Sequence, residues 1–92
     1  MTELLILISD DGTKREVIAK PMSIGTIEFY QAAATNYRPE MKFSLSDYLD
    51  YDGETFVMHG DALYRVIRTY RTGHELELTL SQASAEEVEV YG

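Results

Sequence analysis

The chain has no cysteine and no tryptophan, only two prolines, and half as many basic as acidic residues. Without cysteine there is no disulfide framework, no thiolate nucleophile and no cysteine-ligated metal site. Sixteen Asp and Glu against eight Lys and Arg leave a formal charge of −8. Such a field repels nucleic-acid phosphates and anionic membranes and favours solubility. The first apolar run, Leu4–Ile8, is followed by an acidic pair. It is too short for a signal peptide's core and far below the roughly 20 apolar residues of a membrane span. It reads as a first β-strand.

What the chain does have is apolar content of 45% and aromatic content of 11% over 92 residues. These are the proportions of one globular domain that buries roughly 60% of its unfolded surface. Seven of the aromatics are tyrosines. Their polar tips suit half-buried positions, so they divide between core and subunit contacts.

Period-2 alternation dominates. Leu4–Ser9 is apolar on both faces, as in a strand covered on two sides. Asp10-Asp11-Gly12-Thr13 turns the chain into Lys14–Met22, with Val17 and Ala19 on one face and Ile18 on the other. Pro21 marks an edge position or bend near that strand's end. Met41, Phe43 and Leu45 alternate with Lys42, Ser44 and Ser46. Asp47–Asp50 is irregular, and Tyr51-Asp52-Gly53-Glu54 carries an Asp-Gly hairpin signal ahead of a strand over Thr55–Met58. Further turns fall at His59-Gly60-Asp61 and Thr72-Gly73-His74. In Tyr64–Tyr70, period 2 sends Arg65 one way and Arg68 the other, with Arg71 on the side of Arg65. Glu75–Gln82 points Leu76, Leu78 and Leu80 inward. Ala83–Gly92 is an acidic tail or a short terminal strand through Val88 and Val90.

One stretch breaks the pattern. Ser23–Pro39 has an N-cap at Gly25 or Thr26, Glu28 in the first turn, Ala32–Ala34 and a stopping proline at Pro39. The spacing predicts a short helix between the second and third strands, too short to stand alone. The fold class expected is therefore mainly β: a small antiparallel barrel of about six strands with one short helix in that connection.

No catalytic constellation is legible. His59 and His74 sit in turns with no Ser or Asp at triad spacing. Asp47, Asp50, Asp52 and Glu54 form a solvated turn rather than a cation loop, since the closing Glu is missing. The sequence is read as non-enzymatic, with no cofactor and no metal.

Three stretches taken together resemble a known family. These are Ile27-Glu28-Phe29-Tyr30-Gln31-Ala32, then Tyr51-Asp52-Gly53-Glu54, then Gly60-x-x-x-Tyr64-Arg65-Val66-Ile67-Arg68-Thr69-Tyr70 ending in Glu75-Leu76-Glu77-Leu78. Their order and spacing over about Lys14–Gln82 resemble the head-closure, or stopper, proteins of tailed phages and prophages. The resemblance implies a virion assembly protein that forms a ring at the head–tail junction. Its neighbours would be further copies of itself in the particle (the isolated chain can be a monomer, for want of the preceding ring as template), a portal adaptor and a tail-end protein. Double-stranded DNA would pass through the channel without sequence-specific binding, and assembly would take place in the host cytoplasm. Ile27, Glu28, Phe29, Tyr30, Gln31 and Tyr37, with Arg65, Arg68 and Arg71, are the residues expected at subunit or channel contacts. Two alternatives stand beside it: a different connector or tail-terminator ring on the same scaffold, and an OB-like barrel binding single-stranded nucleic acid through stacked tyrosines.

Overall fold

The computed structural model describes residues 2–24 and 39–91. The expected helix within Ser23–Pro39 falls on residues outside those described, as do Ile27, Glu28, Phe29, Tyr30, Gln31 and Tyr37. The described elements are β1 (Glu3–Ile8), β2 (Lys14–Met22), β3 (Met41–Leu45), a 3-10 turn (Tyr48–Asp50), β4 (Phe56–His59), β5 (Ala62–Thr72), β6 (Glu75–Gln82) and α1 (Ala85–Tyr91).

The six strands close into an antiparallel barrel in the order β1-β2-β3-β6-β5-β4. Closure comes from β1, which pairs with β2 on one side and with β4 on the other. A closed barrel leaves no free sheet edge, and one this narrow is filled by its own side chains. Leu5, Leu7, Phe43, Leu45, Val57, Leu78 and Leu80 fill the interior with no measurable exposure. Val17 and Ala19 join them from β2 as the alternation requires.

Pro21 pairs with Phe43 of β3, whereas the β1 ladder ends at the Glu3–Ala19 pair. The proline therefore lies where β2 has a neighbour on one side only, which spares the sheet its missing donor. At the β1–β2 turn, Asp11 accepts from Ser9 Oγ at 2.5 Å and Thr13 N at 2.9 Å. The Ser9 hydroxyl, then the Thr13 backbone, holds this exposed carboxyl at a pKa of about 2.

Two expectations change. The Asp52-Gly53 signal does not make a hairpin, although Gly53 does take a positive φ of 80°. The strands on either side, β3 and β4, are not neighbours, so this connection crosses the barrel end instead. Asp47 starts that crossing by accepting from Leu49 N at 3.0 Å, which makes Tyr48–Asp50 a 3-10 turn. In this half of the chain, pairing of consecutive strands accordingly runs only from β4 to β6, and β3 joins them through β6.

The acidic C-terminus is a helix rather than a tail or strand. Ser84 and Glu87 form a capping box, with Ser84 N donating to Glu87 Oε1 at 2.9 Å and Glu87 N to Ser84 Oγ at 3.2 Å. This reciprocal pair satisfies two otherwise orphaned amides at the helix start.

The outer side of the barrel is covered in part, as the two apolar faces of Leu4–Ser9 imply. Ile8, Phe56, Leu63 and Ala83 form a second buried cluster, with Ile6, Met58 and Tyr91 packed on it. Tyr91 stacks on Phe56 at 4.5 Å, and its hydroxyl donates to Asp10 O at 3.1 Å. The two-faced apolar character of β1 follows: Leu5 and Leu7 face inward, while Ile6 and Ile8 face this outer cluster.

Candidate functional site

Of the residues the sequence singles out, Arg65, Arg68 and Arg71 lie among those described. Strict alternation would place Arg65 and Arg71 on one face and Arg68 on the other. The structure overturns this through a β-bulge. The β5–β6 register runs Val66 to Leu80 and then Arg68 to Thr79, so Ile67 is an extra residue with no partner. A bulge shifts the side-chain phase of everything beyond it.

Ahead of the bulge, Arg65 sits opposite Ser81 on the outer face. Beyond it, Arg68 and Tyr70 sit opposite Thr79 and Glu77, also on the outer face. Arg71 comes opposite Leu76, on the inward side at the barrel end.

The three arginines consequently do different things. Arg65 ion-pairs with Glu87 of α1 and lies 5.1 Å from the centroid of the Phe56 ring, pinning the helix to the barrel. Burial would raise the Glu87 pKa. The hydrogen bond from Ser84 N, then those from Arg65 and the Ser84 hydroxyl, outweigh it and hold the carboxyl low. Arg71 donates to Gly73 O at 2.9 Å and stacks 3.5 Å from the centroid of Tyr48, closing one barrel end. Arg68 is exposed and lines an outer hollow of about 160 Å³ with Lys42, Tyr70, Glu77 and Thr79.

Other charges are also engaged within the chain. Lys42, only 8% exposed, meets Glu77 at 2.8 Å across β3 and β6. Arg15 reaches Glu54 at 2.9 Å and Asp50 O at 2.7 Å. Glu54 is 5% exposed and also accepts from Asp52 N at 2.6 Å. Tyr51 donates its hydroxyl to Glu54 O at 2.6 Å, and burial followed by the Glu54 charge raises its pKa. The Asp47 and Glu54 carboxylates thus cap and brace the β3–β4 crossing. His59 pairs with Glu3 at 2.9 Å and sits 5.3 Å from the Phe43 ring, and His74 is exposed, its carbonyl accepting from Tyr48 N. Among the described residues, no group of three or more His, Asp or Glu is gathered as a metal site would need.

The described tyrosines differ in burial. Tyr48, Tyr51 and Tyr64 pack on the inner core, whereas Tyr70 is 56% exposed. On the opposite side of the barrel, Leu4 and Ile18 face each other across β1 and β2 at 50% and 57% exposure. Period 2 already put Ile18 outside. The exposure of Leu4 has no local signal, because Ile6 and Ile8 on the same face are covered. No helix among the described residues is long and apolar enough to cross a membrane. No family model matches this chain, and no curated protein or solved structure matches it.

Proposed function

We propose that this chain is a non-enzymatic ring component of the head–tail connector of a tailed phage or prophage. The observation that carries the reading is the order of the head-closure-like motifs along a chain whose strands close into one small barrel. The barrel is the ring body, and ring contacts and channel closure are assigned to the segment between β2 and β3 on the resemblance alone. The acid excess supports passage of DNA without tight binding. The internal pairing of Arg15, Lys42 and Arg65 with carboxylates works the same way, since it takes these cations out of any basic track. In this role the protein extends and closes the DNA channel in the virion, with a portal adaptor on one side and a tail-end protein on the other.

The test is the double substitution Phe29→Ser, Tyr30→Ser in the particle. Heads are expected to package DNA and then to lose it or fail to join tails, as read by electron microscopy and nuclease sensitivity. Normal infectious particles from a well-folded double variant rule the role out.

A further inference from the structure

We propose that the outer face of β5 in one copy, carrying Tyr70 and Arg68, docks into the hollow beside Leu4 and Ile18 of a second copy. The inference deepens the connector reading by naming the mating surfaces, and rests on it for the ring. The contact itself needs no particle to be tested.

Three features point to this pairing. The first is shape and polarity. Leu4, Glu16, Val17, Ile18, Ser46 and Asp50 line an open hollow of about 370 Å³. Leu4 and Ile18, each at least half-exposed, give it apolar surface, and Glu16 and Asp50 give it two carboxylates. The complementary shape is an apolar body with a donating tip and a cation beside it. Tyrosine next to arginine has that form, and these two types are enriched at the energetic centres of interfaces.

The second feature is that Tyr70 stands 56% exposed beside the equally outward Arg68, and the two share one outer hollow. Their outward aim comes from the Ile67 bulge. Under unbroken alternation, with Ile67 paired like its neighbours, both would take the inward phase of Tyr64 and Val66. Bulges characteristically re-aim side chains at functional positions.

The third feature is placement. In the closed order β1-β2-β3-β6-β5-β4, β2 and β5 lie diametrically opposite, with two strands between them either way round. Tyr70 therefore cannot reach its own Leu4–Ile18 hollow, but a neighbour's can. Different patches on opposite sides pair heterologously, which generates a ring where the rotation closes. In the contact, the Tyr70 ring covers Leu4 and Ile18, and its hydroxyl and the Arg68 guanidinium donate to Asp50 and Glu16.

The experiment uses two full-length variants at exposed positions, Ile18→Lys and Tyr70→Thr, with folding checked by circular dichroism. Wild type is expected to self-associate on concentration, by sedimentation equilibrium and by amide shifts at Leu4, Ile18, Arg68 and Tyr70. Each variant alone should associate at least about tenfold more weakly, as loss of an interface anchor implies. Mixed in equal amounts, they should form a dimer and nothing larger. The intact Tyr70 of the Ile18→Lys copy then meets the intact hollow of the Tyr70→Thr copy.

A wild type that stays monomeric without shifts up to about 1 mM, the weak end of specific association, overturns the proposal. Failure of the mixture to dimerise also overturns it, as do variants that associate like wild type. A dimerising mixture alongside normal infectious Phe29→Ser, Tyr30→Ser particles upholds the contact and removes the connector role. Inert variants alongside tail-less Phe29→Ser, Tyr30→Ser particles remove the contact and leave the role standing.

Discussion

At the scale of single residues, the buried charges decide most. Glu54 is nearly inaccessible, and its carboxylate is satisfied by the Arg15 guanidinium on one oxygen and the Asp52 amide on the other. Removing it leaves that amide without its acceptor and loosens the turn that carries the chain from β3 to β4. Hydrogen bonds to charged groups contribute about 1.5–3 kcal/mol each, so Glu54→Ala should lower stability by about 2 kcal/mol in urea unfolding. Arg15→Ala should cost less, because Arg15 is 43% exposed and solvent screens its side of the pair. Neither Glu54 nor Lys42 is legible as buried from the sequence. Each follows a strand or turn pattern that reads as solvated, and only the partner brought in by the tertiary fold makes burial tolerable.

At the scale of elements, α1 is the one most dependent on conditions. It is seven residues long with none of them fully buried, and isolated helices of that length do not persist. It is held by the Ser84–Glu87 capping box, the Arg65–Glu87 pair and the Tyr91–Phe56 stack. Because Glu87 is held below the ordinary glutamate range, its contribution is complete at neutral pH and is lost as pH falls through the depressed value. The Tyr91 ring resonances should therefore move toward random-coil positions in acid, following a titration at Glu87. Glu87→Gln should release the ring already at pH 7 and flatten that transition. The Ser-x-x-Glu signature was readable in the chain, but the alternation of Val88 and Val90 with Glu87 and Glu89 points to a strand. The cap wins because the described strands, closed into a barrel, offer Val88–Val90 no free edge, whereas Phe56 and Arg65 offer the helix a seat.

At the scale of the whole molecule, closure sets the mechanics. β1 is the strand that joins both ends of the sheet, pairing with β2 and β4 at once. Leu7, fully buried at that joint, touches the shared interior. Leu7→Ala should cost about 2–5 kcal/mol, as a core truncation with an unfilled cavity does. Hydrogen-exchange protection should fall on β3 and β6 as well as on β1, because one core serves the entire ring of strands. A sheet with two independent edges would show a local loss only.

By itself, the sequence determined the class, the strands and most of their inward residues. Period 2 in Val17/Ala19, Phe43/Leu45 and Leu76/Leu78/Leu80 leaves one face apolar, and Gly12, Gly60 and Gly73 mark the turns that follow β1, β4 and β5. The tertiary structure alone decided which strands are neighbours, since pairing of β3 with β6 rather than β4 depends on contacts far apart in the chain. It alone decided the phase of Arg68 and Tyr70, because one unpaired residue at Ile67 shifts every later side chain and leaves no mark in the composition. It decided, too, that Leu4 stays exposed while Ile6 and Ile8 do not, because coverage of an outer face depends on where α1 comes to rest.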